Sequence, residues 1–326
     1  MRYVLLVAAD GLDALDGEAI CRHAPHSKAI RVICANMTDS LIPGQEVEAV
    51  YADSAPLFWE AMDGLPCPSL VIAIANSPIA VWAQLWAGEH SVPTLHHHAG
   101  TRSLNGADLL RDRRGIALDA TADLLSFVDR SAQRHTKSFQ PAATRVVGWP
   151  SLEYWFRTTR NMDGGMTGGC LVLTGPLPRD RYGLVNKTLD ACRHSCRQFT
   201  VHAGPAFRDM IVRTGMPLPD GFVLKPLSDA EGLAASVAKC RMFVTNDDRL
   251  QALSMVLGKP TALIGLSQGM HCPQSDAVRH IDIRASDAAR KIHDLWEAVP
   301  ELRFDPLEAP PAGGAVICEW LKPYFS

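Results

Sequence analysis

The 326-residue sequence lacks any long run of like charge. Its 32 lysines and arginines are nearly balanced by 35 aspartates and glutamates, which gives a formal net charge of -3 at pH 7. Nucleic acids and anionic membranes are bound mostly through clustered basic residues. The composition therefore argues against a nucleic-acid or membrane-surface partner and favours small-molecule chemistry.

Long apolar stretches are also missing. The amino-terminal segment MRYVLLVAAD holds an apolar run of about eight residues before Asp10, far short of the roughly 20 that a membrane-spanning helix needs. It also lacks the cleavage pattern of a signal peptide. We therefore expect no integral membrane segment, and we interpret Tyr3–Ala8 as the first strand of a cytoplasmic protein.

The nine cysteines are odd in number and scattered, which does not suit a framework of disulfide bonds. Most of them lie in apolar stretches, as reduced thiols of a cytoplasmic protein do. Cys192 and Cys196 flank His194, but their spacing fits no zinc motif. We therefore predict no metal site.

Short apolar runs alternate with amphipathic segments along the whole chain. Continuous runs such as SLVIAIA (69–75) and CLVLT (170–174) are typical of strands that are covered on both faces of a parallel sheet. Segments with helical spacing, such as the one that carries Trp82 and Trp86, separate them. The predicted fold class is α/β, with two Rossmann-like domains whose parallel sheets face each other across a cleft.

The pattern is interrupted at RTTRNMDGGMTGG (157–169), which contains four glycines and few apolar residues. Such a composition is typical of a boundary between domains. We predict an amino-terminal domain over residues 1–156, a glycine-rich linker over 157–169 and a second domain over 170–305. Residues 306–326 are interpreted as a proline-rich linker followed by a helix at 316–324 that returns to the first domain.

The stretch from Lys239 to Gly265 contains the clearest supersecondary signal. A buried strand (241–245) is followed by the polar turn Asn246-Asp247-Asp248, a helix (249–257) and a second strand (261–265). Strands joined in this way through a helix lie parallel with a right-handed crossover. The turn is then expected at the carboxyl edge of its sheet, where open α/β sheets bind ligands and a helix N-terminus suits a phosphate.

Several segments resemble families of enzymes that act on nucleotide sugars. TLHHHAGTRS (94–103), DATADLLSFVDRSAQRH (119–135) and RVVGWPSLEYW (145–155) resemble the middle of non-hydrolysing UDP-N-acetylglucosamine 2-epimerases. Residues 228–265 resemble the carboxyl-terminal half of glycosyltransferases with the glycosyltransferase B (GT-B) fold, including the heptosyltransferase group. The resemblance implies a GT-B fold and a nucleotide sugar as co-substrate, UDP-linked in the epimerase case, with no other cofactor.

The chain departs from the epimerase pattern at the phosphate-binding turn. The epimerases carry Asp-Ser-Gly-Gly there and a pair of glutamates in the following helix, whereas this chain has Asn246-Asp247-Asp248-Arg249 and Gln251. Two aspartates facing a diphosphate would repel it, at a cost of about 1 kcal/mol per close pair even in water, unless a cation or Arg249 intervenes. The amino-terminal Gly-Thr-Arg-Pro loop of the epimerases is likewise replaced, by Ala9-Asp10-Gly11-Leu12.

The candidate catalytic residues lie in the first half of the chain. Side chains alternate along a strand, so His97 is expected to point opposite to His96 and His98. The epimerase resemblance favours His96 or His97 as a general base, and a histidine satisfied inside the core is the alternative. Arg102 is a candidate clamp for a sugar or phosphate. Asp10 is interpreted either as the base for an acceptor hydroxyl or as an ordinary helix cap.

The candidate nucleotide-binding residues lie at or after the ends of strands in the second half: Thr174, Gly175, Arg179, Arg181, Lys225, Asn246, Asp247 and Arg249. Glycine permits close approach of a ligand, and the basic side chains would neutralise a diphosphate. Capping of the following helix is the alternative role of Asn246.

These features predict a glycosyltransferase that uses a nucleotide-activated sugar in surface polysaccharide or glycoconjugate assembly. Its second substrate would be a carbohydrate or lipid-linked acceptor. A base for the acceptor hydroxyl and positive groups for the departing diphosphate suffice for such a transfer without a metal. Two alternatives stay open, an enzyme similar to the UDP-N-acetylglucosamine 2-epimerases and a non-catalytic nucleotide-sugar-binding homologue. A homodimer is compatible with the sequence.

Overall fold

The structure of the chain is a computed structural model. It describes residues 3–24, 30–34, 49–51, 54–74, 77–98, 122–128, 133, 143–162, 164–175, 180–227, 230–265, 278–298 and 313–325. The chain divides into unit 1, made of Met1–Tyr154 and Pro310–Ser326, and unit 2, made of Trp155–Ala309. The glycine-rich segment that the sequence suggested as a linker belongs to unit 2 in this division.

Unit 1 contains a parallel sheet, in which the described residues form seven strands. The strands are β1 (Val4–Ala8), β2 (Ile30–Cys34), β3 (Ala49–Tyr51), β4 (Leu70–Ile74), β5 (Thr94–His98), β6 (Leu124–Phe127) and β7 (Ala143–Val146). Their order across the sheet is β3-β2-β1-β4-β5-β6-β7. The helices described in this part of the chain are α1 (Gly11–His23), α2 (Ala55–Asp63), α3 (Pro78–Glu89) and α4 (Ser151–Thr159), the last of which spans the division between the units.

Unit 2 contains a second parallel sheet, with six strands in its described part. The strands are β8 (Gly169–Leu173), β9 (Phe199–Ala203), β10 (Phe222–Pro226), β11 (Met242–Thr245), β12 (Thr261–Gly265) and β13 (Val278–Asp282), in the order β10-β9-β8-β11-β12-β13. The helices are α5 (Arg181–Ser195), α6 (Pro205–Thr214), α7 (Ala230–Lys239), α8 (Gln251–Leu257) and α9 (Ala288–Ala298). A last helix, α10 (Gly313–Phe325), belongs to unit 1.

The sheet of unit 1 is covered on both faces, which explains why its central strands are continuous apolar runs. All five residues of β1 and all five of β4 are buried. Alternate residues of β1 pack against α1 and α10 on one face and against α2 and α3 on the other. The Cys318 thiol in α10 also donates to the backbone oxygen of Ile20 in α1 at 3.0 Å. The helix predicted near the carboxyl terminus therefore completes one layer of unit 1.

One face of the unit 2 sheet packs against α5, α6 and α9. The cluster joins strand residues to helix residues, among them Leu171, Val201, Val244, Leu189, Phe207 and Ile292. Within the sheet, β8 and β11 are parallel neighbours. Met242 lies opposite Gly169, and Thr245 lies opposite Val172. The carboxyl ends of these two strands consequently meet at one edge.

The glycine-rich segment before β8 is bound to unit 2. The backbone N–H of Gly165 donates to the carbonyl oxygen of Ala238 at 2.9 Å. The buried Lys259 ammonium donates to the carbonyl oxygens of Gly165 and Cys240, both at 2.8 Å. Burial lowers the pKa of Lys259 from its ordinary value. Gly165 and Gly168 serve close backbone packing, because a Cβ would lie 2.7 Å from the backbone oxygen of Lys239 and 2.8 Å from that of Gln198, respectively.

Several element bounds differ from the sequence prediction. Helix α1 begins at Gly11, because Asp10 provides an N-cap that the apolar pattern does not reveal. Helix α4 was not predicted, and its last residues extend into the segment that was interpreted as a linker from residue 157. The helix expected at 249–257 begins with a 3-10 turn at Asp248–Leu250 before α8. Within the described ranges, no helix is both long and apolar enough to cross a bilayer.

Gly314 lies where α10 contacts α1. A Cβ at this position would lie 2.5 Å from the backbone oxygen of Ala19 and 2.8 Å from its carbonyl carbon, and backbone atoms cannot rotate away. We expect Gly314→Ala to lower the free energy of unfolding by about 1–3 kcal/mol, measured by urea denaturation, because the two helices must move apart.

Gly88→Ala is the matched control. Gly88 is exposed in α3, and an added Cβ has nothing within 4 Å. This variant should be neutral or more stable by up to about 1 kcal/mol, since alanine is the better helix former. An equal loss of stability in both variants would contradict the close packing of α10 on α1.

Candidate functional site

In unit 2 the chain order reverses between β8 and β11. Strands β9 and β10 follow on one side of β8, whereas β11, β12 and β13 follow on the other. Open α/β sheets bind ligands at the carboxyl ends of the strands at such a reversal. Thr174 and Gly175 come directly after β8, and Asn246 and Asp247 come directly after β11. The fold thus brings together four of the predicted nucleotide-binding residues.

The side chain of Asn246 links the two strand ends. Its Oδ1 accepts the backbone N–H of Thr174 at 2.8 Å, and its Nδ2 donates to the backbone oxygen of Thr174 at 2.9 Å. The buried carboxamide thereby adds one rung to the β8–β11 ladder where the backbone pairing stops. Asn246 does not cap the following helix, which was the alternative role that the sequence suggested.

Asp247 is fully buried, and within the described part of the chain Thr174 and Arg249 donate to its carboxylate. The Thr174 hydroxyl donates to Oδ2, and the backbone N–H of Arg249 donates to Oδ1 at 3.1 Å. The Arg249 guanidinium donates from Nε to Oδ1 at 2.9 Å and from Nη2 to Oδ2 at 2.6 Å. Arg249 therefore compensates the charge of Asp247 directly through a bidentate pair.

The polar turn after β11 forms a 3-10 helix over Asp248–Leu250, with Asp247 as its N-cap. The following α8 has only seven residues, and the N–H of Arg249 is already bonded to Asp247. The helix terminus that the sequence suggested for a phosphate is therefore occupied by a carboxylate of the chain itself. Asp248, next to it, is also buried.

The other predicted residues of unit 2 lie in different settings. Gly175 has a φ of 76°, a left-handed conformation that glycine adopts without strain. Lys225 is exposed on β10, the edge strand, so that β9 separates it from β8. Arg181 begins α5. Its side chain, like the whole of Arg179, lies outside the described residues.

In unit 1 the chain order reverses between β1 and β4, and Asp10 follows β1. Its Oδ1 accepts the backbone N–H groups of Leu12 at 3.0 Å and of Asp13 at 3.1 Å, which makes Asp10 the N-cap of α1. Ser77, before α3, likewise accepts the N–H of Ala80 at 3.2 Å. Asp10 is only partly buried. Its catalytic role stays a prediction.

His96 and His97 lie on opposite faces of the sheet, and both are buried. The Nδ1 of His96 is hydrogen-bonded to Nε2 of Gln84 in α3 at 3.0 Å. The Nδ1 of His97 is hydrogen-bonded to the hydroxyl of Ser126 in β6 at 2.8 Å, and its Nε2 lies 3.7 Å from Oδ2 of Asp16 in α1. In this structure both rings are engaged by partners inside unit 1.

Burial, with a smaller contribution from His96, lowers the pKa of His97 to about 3. The ring is therefore uncharged at neutral pH. Oδ1 of the neighbouring Asp16 accepts the backbone N–H of Ser151 at 2.6 Å, where α4 begins. A carboxylate at a helix N-terminus is stabilised by the helix dipole. His97 thus joins β5 to β6 and α1 as an internal polar contact.

Asp16, Gln84 and Ser126 were not predicted, because no local pattern marks them and each comes from a different element. Arg102 and the side chain of His98 lie outside the described residues.

In the part of the chain that the structure describes, no group of three or more His, Cys, Asp or Glu residues is placed to hold a metal ion. Burial raises the pKa of the Cys192 thiol well above its ordinary value, and Cys196 adds to this effect.

No protein-family model and no curated protein matches the chain. Solved structures resemble it along almost its full length. The UDP-GlcNAc 2-epimerase of Methanocaldococcus jannaschii, in complex with UDP-GlcNAc and UDP, has a TM-score of 0.76 at 11% identity, with 99% of each chain covered. The UDP-GlcNAc 2-epimerase of Neisseria meningitidis bound to UDP-GlcNAc has a TM-score of 0.72 at 12% identity, with 99% of this chain and 100% of that chain covered.

MurG from Acinetobacter baumannii has a TM-score of 0.53 at 12% identity, with 99% of this chain and 100% of that chain covered. Identities this low show the fold alone. The predicted α/β class with two Rossmann-like parallel sheets is confirmed, and the chain has the GT-B fold.

The buried neutral state of His97 predicts a pH dependence of stability. Its pKa is about 3 in the folded chain against an ordinary value of 6.5. Because the folded pKa is the lower one, the stabilisation is complete above pH 6.5 and is lost as the pH falls towards 3. As the pH is lowered from about 6 to about 4, the titration of His97 should decrease the free energy of unfolding by about 1.4 kcal/mol per pH unit, measured by urea denaturation.

His97→Gln removes the titrating ring and should flatten this slope. His293→Gln, at an exposed position of α9, should retain the wild-type slope. Equal slopes for His97→Gln and the wild type would show that His97 is not the group that titrates.

The Asn246 carboxamide predicts a second stability effect. We expect Asn246→Ala to lower the free energy of unfolding by about 1–3 kcal/mol, because the buried N–H and C=O of Thr174 lose their partners. Exchange of the Thr174 amide hydrogen should accelerate in parallel. The control is Asn186→Ala on α5, where the amide reaches Asp190 at 3.5 Å on the surface, and its effect should stay within about 0.5 kcal/mol. Unchanged exchange at Thr174 would argue against the extra rung.

Proposed function

We propose that this protein acts on a nucleotide-activated sugar whose nucleotide binds at the carboxyl edge of β8 and β11. The observation that carries the proposal is the reversal of chain order there, with Gly175 and the Asn246–Thr174 contact at the strand ends. The GT-B fold supports it, since similar solved structures include 2-epimerases with bound UDP-GlcNAc and UDP. A UDP-linked sugar is therefore the first ligand to test.

Each candidate residue has a separate task in the proposal. Gly175 lets a ligand approach the backbone closely, because it has no Cβ and adopts a positive φ. Thr174 and Asn246 hold the edge in shape. Arg179 and Arg181 neutralise the diphosphate, aided by the dipole of the fifteen-residue α5 that Arg181 begins. Arg249 compensates Asp247.

As the reaction we propose transfer of the sugar to a hydroxyl of a carbohydrate or lipid-linked acceptor, in surface polysaccharide or glycoconjugate assembly. The acceptor oxygen bonds to the anomeric carbon, the bond from that carbon to the diphosphate oxygen breaks, and a base takes the acceptor proton. Asp10 is the proposed base, because the residue is only partly buried whereas His96 and His97 are fully buried. Arg102 remains the candidate sugar clamp of unit 1.

The second candidate function is 2-epimerisation of a UDP-N-acetylhexosamine. The observation that favours it is the likeness to 2-epimerase structures at TM-scores of 0.72 and 0.76, compared with 0.53 for MurG. In that reaction a base removes the proton at C2, and the nucleotide is eliminated and added again. The Asn246–Arg249 turn, which departs from the epimerase pattern, favours glycosyl transfer over this candidate.

Binding is tested by calorimetry and thermal shift with UDP and UDP-GlcNAc against ADP, GDP and CDP. We expect Gly175→Ala to weaken binding of the preferred nucleotide at least tenfold, because a Cβ obstructs the approach to the strand end. Gly215→Ala is the matched control, since Gly215 also has a positive φ, 61°, but ends α6. Both variants carry the same kind of backbone strain. If no nucleotide or nucleotide sugar stabilises the wild type, both enzyme candidates are excluded.

If nucleotide binding is observed, turnover assays distinguish the remaining candidate functions. Conversion of UDP-GlcNAc without an acceptor would select the epimerase, whereas release of UDP that depends on an added acceptor glycan would select the transferase. Binding without either reaction would select the non-catalytic homologue. Asp10→Asn should abolish acceptor-dependent release while leaving nucleotide affinity within about twofold, a difference of only about 0.4 kcal/mol.

A further inference from the structure

Helix α3 of unit 1 is apolar on both of its sides. Its sequence, PIAVWAQLWAGE, contains one charged residue, Glu89, at the carboxyl end. The side that faces the sheet buries Ile79, Ala83 and Trp86 in the core. The opposite side, which we call the outer stripe, follows helical spacing and consists of Pro78, Val81, Trp82, Leu85, Gly88 and Glu89.

The composition of the outer stripe is unusual for a helix face in contact with solvent. A surface helix normally directs charged and polar residues outward. Helix α9 follows this rule, since its exposed residues include Arg290, Lys291, Asp294 and Glu297. In α3 the exposed residues before Glu89 are uncharged, and Leu85 is 54% exposed. A helix that is apolar on both sides is typical of a buried element, so the outer stripe has the composition of an interface.

The apolar surface extends to the neighbouring α2. The two helices lie on the same face of the unit 1 sheet, where the ring centroids of Phe58 and Trp82 are 6.4 Å apart. Leu57 of α2 is 42% exposed. A stable interface buries roughly 800 Å² on each partner. The twelve residues of α3 form a helix about 18 Å long, which supplies part of that area, and the surface of α2 can supply more.

The distribution of charge favours a second copy of the chain as the partner. A twofold interface brings the same residues of two copies together, so charges in its middle would repel each other. The middle of the outer stripe has none. When two α3 helices run antiparallel, Glu89 of each lies beside the N-terminus of the other, where the helix dipole stabilises a carboxylate. The neutral middle and the acidic end are therefore both self-complementary.

We propose that a second copy of this chain docks on the outer stripe, with the two α3 helices antiparallel about a twofold axis. The axis passes near the middle of the stripe, so that Leu85 packs against Trp82 of the partner subunit. Leu57 lies at the margin of the interface on α2. The dimer forms through unit 1 and is independent of the reaction in the proposed function.

The test is sedimentation velocity of the full-length chain over a range of concentrations in reducing buffer. We expect the wild type to form a reversible dimer with a Kd in the micromolar range or below. Leu85→Glu should weaken the dimer at least hundredfold, because it brings two carboxylates together near the twofold axis. An unchanged dimer in this variant would overturn the proposal. A wild type that stays monomeric would also overturn it and would leave the outer stripe to a different partner.

A charge swap tests the twofold arrangement itself. Leu85→Lys should be monomeric alone, for the same reason as Leu85→Glu. Mixed in equal amounts, the two variants should form a heterodimer, because opposite charges then meet near the axis. If α3 instead contacted a different surface of the second copy, the mixture would stay monomeric, and that result would overturn the antiparallel pairing.

Val212→Glu is the matched control. Val212 is 64% exposed on α6 of unit 2, so this variant carries the same substitution outside the proposed surface and should dimerise like the wild type. Hydrogen exchange of the wild type gives a result even if the Leu85 variants do not fold. Amide exchange in α3 should accelerate when the chain is diluted below the Kd, whereas exchange in α9 should not change. Equal behaviour of the two helices would overturn the proposal.

Discussion

The contact between Asn246 and Thr174 is the constraint on which the carboxyl edge of unit 2 depends. Backbone pairing between β8 and β11 ends at Thr245, and the carboxamide of Asn246 replaces the next rung by binding both the N–H and the C=O of Thr174. With Thr174 held in this way, its hydroxyl can reach Asp247, and Gly175 can begin the turn with a positive φ. The buried carboxamide of Asn246 thus determines where the backbone and the hydroxyl of Thr174 lie.

Unit 1 uses its conspicuous polar residues for internal contacts. The histidines of β5 are the sharpest polar cluster in the sequence, but the described ones pair with Gln84 and Ser126 inside the unit. An uncharged imidazole beside Asp16 costs less to bury than an ion pair, because no second charge loses its hydration. Asp16 then remains available to bind the first N–H of α4. These contacts tie β5, β6, α1 and α4 together.

The similarity to nucleotide-sugar enzymes is a similarity of fold. The polar turn after β11 departs from the phosphate-binding pattern of the epimerases. At the sequence level, the two aspartates of that turn suggested repulsion of a diphosphate. The structure shows that Arg249 already compensates the charge of Asp247. The donors of this turn, a guanidinium and a hydroxyl, are of the kinds that bind carboxylates and phosphates alike.

The sequence by itself determined the α/β class, most strands, the return of the last helix and the position of the Asn246–Asp248 turn at a sheet edge. These features follow from apolar periodicity and turn residues, which are local properties of the chain. Tertiary structure alone decided the partners of the polar residues. Asn246 and Thr174 are 72 positions apart, His97 and Ser126 are 29 apart, and Asp16 and Ser151 are 135 apart. A hydrogen bond needs two groups in contact, and only the folded sheets bring such distant groups within 3 Å of each other.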